Sequence, residues 1–302
     1  MSGKAKAFLA VLILAAAGAA AAYYFTVLWP GPPEQKGAPE KEKIRWEVER
    51  AKLKKEIVDL QDEIALHREE IVPGERLEEV FGKDAADLAR ADTVRTCQGM
   101  DRQILTFFSY LDRQPYIRQA GLEAGAYAQY LRIVDALSRN PPLILEETKD
   151  NYSLVRNVAH FFRVLGKENV LLIRRTLAEE PEILEPLAAL FYDWTVSADR
   201  CKEGIQGRAS PETLYEYTAF FLNTLAGRSY LLRRDARVRT LTTYYCILTL
   251  DLANRKTLNR YGVDIRPFID STIQDIRNMR GLLFAKHYLD TLEELKREYA
   301  LR

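Results

Sequence analysis

Histidine and cysteine are scarce in this sequence, three of each in 302 residues, and their spacing excludes the metal chemistries that announce themselves locally. Ile64, Asn157 and Phe284 stand three residues before His67, His160 and His287. No Glu-x-x-His pair therefore turns two ligands to one side of a helix, as a di-iron bundle requires. His-Glu-x-x-His, Cys-x-x-Cys-His, a Walker loop, a dinucleotide fingerprint and a Gly-x-Ser-x-Gly elbow are all missing. An enzyme with dispersed residues survives this test, whereas one with a compact signature does not. No catalytic residue, metal site or cofactor is expected. A dominant charge is lacking too: 44 basic against 43 acidic residues give a net charge of +1, no field for nucleic acid. Glycine and proline fall mainly at breaks, and no strand-like alternation stands out after residue 92. Helix is favoured throughout.

What is present begins with one long apolar run. Residues 7–29 carry no charge, and residues 7–28 span about 22 positions, roughly 33 Å of helix against a hydrocarbon core of about 30 Å. Tyr23, Tyr24 and Trp29 fall at one end, where amphipathic rings favour the headgroup level, and Pro30 stops the helix. Lys4 and Lys6 precede it, and the alanine tract at 15–22 also fits a cleaved signal peptide, which would release a secreted domain. The run continues through Phe25, Val27 and Leu28, longer than an h-region of about 7–15 residues, so a retained anchor in membrane lipid is favoured. Lys4, Lys6 and the α-amino group favour a cytoplasmic N-terminus and a periplasmic domain. Lys36, Lys41, Lys43 and Arg45 argue the other way, for a domain facing the cytoplasm.

After the basic tail (1–6) and the anchor (7–29) comes a proline-rich, charged linker (30–43), a semi-stiff spacer. Residues 44–72 are expected to form a charged stalk helix. Leu53, Ile57, Leu60, Ile64 and Ile71 step by fours and threes, with His67 at one seam position. That period fits a coiled-coil seam joining copies of the chain, or a helix packed on its own domain. A connector (73–91) leads to a helical domain (92–302).

In that region Asp84 is the expected cap of a helix reaching Arg113, with Ile104, Phe107, Phe108 and Leu111 on one stripe. Helices are expected at 123–138, stopped by Asn140-Pro141-Pro142, at 153–165 with Gly166 just past the end, at 169–179 and at 181–198. Ser210-Pro211-Glu212 opens another that runs to Gly227; 229–254 is the longest; Asp264 caps 265–280; 282–299 closes the chain. Short loops between amphipathic helices predict an all-α antiparallel multi-helix bundle. Phe-Phe-x-x-Leu recurs at Phe107–Leu111 and Phe161–Leu165, which leaves an α-solenoid of helical hairpins as the alternative.

Three constellations remain. Cys97 and Cys201 flank helices near polar turns and form the pair to test for a disulfide; Cys246, in an apolar run, reads as a buried thiol. Three free cysteines is the other reading. Arg228, Arg233, Arg234, Arg237 and Arg239 are the densest charge, either paired within the fold or a patch for an anion or an acidic partner. Tyr215, Tyr217, Phe220, Phe221, Tyr244 and Tyr245 are core at this spacing, or the wall of an aromatic groove. The pattern as a whole points to a single-pass membrane scaffold or assembly component of a cell-envelope complex with protein partners. A tethered ligand-binding or sensory domain is the alternative, and an enzyme without a local signature comes third.

Overall fold

The computed structural model describes residues 73–142, 151–226, 236–260 and 262–301. The basic tail, the apolar segment 7–29, the linker and the stalk with Leu53, Ile57, Leu60, Ile64 and Ile71 lie outside the described residues. So do Arg228, Arg233 and Arg234. Among the described residues there is no strand, and no helix is long and apolar enough to cross a membrane. The elements run α1 (Pro73–Phe81), a 3-10 turn (Gly82–Asp84), α2 (Ala85–Leu88), α3 (Cys97–Arg113), α4 (Pro115–Arg118) and α5 (Gly125–Arg139). After them come α6 (Asn151–Leu165), α7 (Lys167–Glu179), α8 (Leu184–Val196), a 3-10 turn (Ser197–Asp199) and α9 (Pro211–Phe221). A π turn (Leu222–Ala226), α10 (Ala236–Arg255), α11 (Arg266–Asn278) and α12 (Ala285–Ala300) complete the order.

Local chemistry explains most boundaries. Ser210 Oγ accepts the Thr213 N–H at 3.1 Å and Pro211 occupies the first turn, so α9 starts where a hydroxyl and a fixed φ coincide. The helix expected from Asp84 to Arg113 is instead two. Asp84 makes no capping bond; its carboxylate grips Arg102 at 2.9 Å on each oxygen, and the chain leaves helix after Leu88. Thr96 caps α3 in its place, accepting from Gly99 N at 3.1 Å. Asp84 keeps the N-cap position of α2 without a capping bond, whereas Asp264 stands outside the cap position of α11, held by Ile265, yet its Oδ1 takes the first-turn N–H of Arg266 at 3.0 Å. The helix expected from 181 begins at Leu184, and α9 yields to the π turn before Gly227.

One core joins these elements. Helix α8 is apolar almost all round, with Leu184, Leu187, Ala188, Leu190, Phe191 and Trp194 buried, as a helix enclosed by others must be. Burying each side chain the size of Phe191 contributes about 1.5–3 kcal/mol. Helix α8 packs on α3 and α10, α3 on α5, α9 on α10, and α11 on both α10 and α12. Leu77, Val80, Phe81, Ala85 and Leu88, in the stretch expected as a connector, enter the same core. The two Phe-Phe-x-x-Leu stretches pack in separate aromatic clusters: Phe107 and Phe108 around Phe191, and Phe161 among Tyr217, Phe220 and Phe221. Tyr215, Tyr217, Phe220, Phe221, Tyr244 and Tyr245 are buried core, which leaves no aromatic groove at that point.

Three buried carboxylates fasten the helices across that core. Glu180, just past α7, accepts from Arg76 of α1 at 3.0 Å and from the hydroxyls of Tyr110 and Tyr116 at 2.9 Å. Asp101 of α3 accepts from Trp194 Nε1 and Arg208 Nη2 at 2.7 Å and from Ile205 N at 3.2 Å. Glu185 of α8 accepts from Arg237 of α10 and from two backbone N–H groups at the entry to α12. A buried charge removed from water is tolerable only when paired and hydrogen-bonded, and each of these is.

Candidate functional site

Cys97 at the start of α3 and Cys201 after α8 are joined by a disulfide, their Cα atoms 5.5 Å apart across 104 positions. Cys246 stays a free, buried thiol, and burial pushes its pKa upward, away from the reactive thiolate. The disulfide has a geometric consequence. Arg95 lies two residues before one half-cystine and Arg200 immediately before the other, so the bond brings two cations to one place.

That place is a cleft of about 440 Å³ where the end of α8, the residue after α10 and the first turn of α3 meet. Its charged lining is Arg95, Asp193, Asp199, Arg200 and Lys256, with Thr93, Ser197 and Met100 between them. Arg95 Nη1 donates to Asp193 Oδ2, and Lys256 Nζ donates to Asp199. The Arg95 side chain is 3% exposed, and its Nε and Nη2 meet no acceptor among the described residues. Asp193 keeps 38% of its side-chain surface open. The protein packed around it nonetheless pushes its carboxyl above the usual range, against the pull of Arg95, Arg200 and His287. Such a shift in a cleft marks a group worth testing for function. Val94, at the rim, is 89% exposed.

A second cavity, about 80 Å³, lies among Phe107, Phe108, Ile133, Tyr130, Ile173 and Phe191. Its walls are apolar and carry no charge, so it offers volume without directed chemistry.

The arginines singled out in the sequence are placed differently from a patch. Arg237 pairs with buried Glu185 at 2.7 Å and Arg239 with Asp275 at 3.3 Å, so the two described members are engaged within the fold. His160 Nε2 sits 3.1 Å from the Pro141 carbonyl oxygen, a satisfied boundary residue. Asp290, one turn after His287, pairs with Lys286. No three His, Cys, Asp or Glu side chains converge as a metal site among the described residues. Sequence reasoning missed Arg95, Asp193, Arg200 and Lys256, whose only local signal is the pair of arginines beside the two cysteines.

No family model, curated protein or solved structure matches this chain.

Proposed function

We propose that the chain is a single-pass membrane protein of the cell envelope whose helical domain stands outside the cytoplasm. There it serves as a scaffold or assembly component through protein–protein contacts. The observation that carries this reading is the Cys97–Cys201 bond. Disulfides persist in oxidising compartments and are rare where glutathione and thioredoxin keep thiols reduced. Taken with the apolar residues 7–29 and the basic tail before them, it supports an anchor with the domain on the periplasmic side. An assembly role for this helical body follows by elimination, since the sequence carries none of the local signatures of metal, nucleotide or hydrolase chemistry. The linker and stalk would hold that body away from the bilayer, and the seam of Leu53, Ile57, Leu60, Ile64 and Ile71 would pair it with further copies. We read the helices as a bundle rather than a solenoid, because α8 packs on both α3 and α10, which are not its neighbours in the chain.

Crosslinking in native membranes tests this. The expected result is one partner captured in stoichiometric yield from the full chain, and loss of that product when residues 44–72 are deleted. Full-length protein that purifies from detergent as a monomer and crosslinks to nothing sinks the scaffold. One observation favours a second reading, a tethered ligand-binding or sensory domain: the charged cleft around Arg95 and Asp193.

A further inference from the structure

We infer that the cleft beside the disulfide takes a small oxyanion, a carboxylate or phosphate on a polar molecule, held by the Nε/Nη2 edge of Arg95 with Arg200 as second cation. This names the ligand class of the ligand-binding reading and rests on it, not on the scaffold.

The Nε/Nη2 edge is the side of a guanidinium whose two N–H bonds run parallel and match a carboxylate or phosphate in a two-point grip. The molecule shows that fit elsewhere: Arg76 donates from Nε to Glu180 Oε2 and from Nη2 to Glu180 Oε1, each at 3.2 Å. Buried Arg208 has all its nitrogens occupied, Nε on the Trp194 carbonyl, Nη1 on the Cys201 carbonyl and Nη2 on Asp101. Arg95 departs from this pattern. Its Nη1 holds Asp193, while the two-point edge has no acceptor among the described residues. A charged donor buried without a partner is costly, and native proteins keep one chiefly where water, an ion or a ligand completes it.

The surroundings suit an anion of modest size. The cleft volume of about 440 Å³ lies within the range of small-molecule sites, about 300–1,000 Å³. Lys256 is committed to Asp199, and exposed Arg200 makes no ion pair among the described residues, so one positive charge is left over at the mouth. The positive end of the helix dipole of α3, whose first-turn Met100 lines the cleft, adds to that bias. Arg95 belongs to the non-helical stretch 90–96, so turning its vacant edge, enclosed by protein, towards an oxyanion in the cleft requires no helix to move.

The test is calorimetric titration and thermal shift on the full chain in detergent, with inorganic phosphate and succinate as probes and xylitol and ethylammonium as neutral and cationic controls. Saturable binding of phosphate or succinate is expected. Arg95→Lys keeps the charge but loses the two-point edge, and should weaken binding about tenfold. Arg200→Gln, at an exposed position that leaves the fold intact, should weaken it several-fold and decides the matter if Arg95→Lys does not fold. Nanodiscs of phosphatidylglycerol against phosphatidylcholine separate the sources: stabilisation by the anionic lipid alone, lost in both variants, assigns the oxyanion to a headgroup. Affinity unchanged in both variants overturns the proposal. A response to xylitol or ethylammonium but to neither anion overturns it and leaves the ligand-binding reading standing; no response to any probe removes both.

Discussion

Glu185 and Arg237 meet at 2.7 Å across 52 positions of chain, and the carboxylate, 0% exposed, also accepts the N–H groups of Leu283 at 2.9 Å and Phe284 at 3.1 Å. One side chain in the first turn of α8 thus fixes α10 and the entry to α12. Glu185→Ala would strand three donors in the interior, an expected loss of about 3–5 kcal/mol in urea unfolding. Glu185→Gln keeps the shape and one acceptor, so its loss should be smaller. An alanine variant within about 1 kcal/mol of wild type would show that this tie holds little.

The same pair shows where sequence reading stops. The density of arginine at 228–239 was legible, but the acceptors of Arg237 and Arg239 lie 52 and 36 positions away, at distances only the fold defines. Starts and stops written in adjacent residues were legible as well, Ser210-Pro211 and Asn140-Pro141-Pro142 among them. Asp84 does stand at the N-cap position of a helix, but that helix is the short α2, because Arg102, 18 positions on, claims the carboxylate and Thr96 starts α3. Helix content follows from local periodicity, so the all-α class was readable. The charged cleft was not, because Arg95, Asp193, Arg200 and Lys256 converge only after the disulfide and the core close.

That disulfide makes a simple chemical prediction. Denatured without reductant, the protein should take up one alkyl group, on Cys246, and after reduction three. Mass spectrometry reads the difference directly. Native protein should resist labelling at Cys246 altogether, because its thiol is buried and its pKa is raised by that burial. Closing a loop of 104 positions constrains the unfolded chain, so Cys97→Ser with Cys201→Ser should cost about 3–4 kcal/mol and lower Tm by about 10 °C. Three labelled cysteines without reductant would remove the bond and the compartment argument with it.

Asp193 should give stability a pH dependence of definite sign. Its folded pKa is raised, chiefly by burial, above the value in the unfolded chain. Between those two values the native state binds more protons, so this contribution is full below the unfolded pKa and is lost as pH rises through the folded one. Asp193→Asn cannot titrate. The stability of wild type relative to Asp193→Asn should therefore fall across that window and stay level above it. A difference that is flat from acid to neutral pH, or that rises, contradicts the raised pKa.

Gly204 tests the Asp101 tie from the other side. Its φ is +132°, and an added Cβ would stand 2.0 Å from Asp101 Oδ2, the oxygen that accepts from Ile205 N. Gly204→Ala must therefore displace a carboxylate that also holds Trp194 and Arg208, and should cost about 3 kcal/mol or more. Gly121, with φ +65° and nothing within 4 Å of a Cβ, is the control: alanine there bears backbone strain alone, about 1 kcal/mol. In an Asp101→Ala background the cost at Gly204 should shrink towards the control, since the oxygen it strikes is gone. Equal costs at the two glycines in the wild-type background would mean that strain, and not the carboxylate, sets the penalty at Gly204.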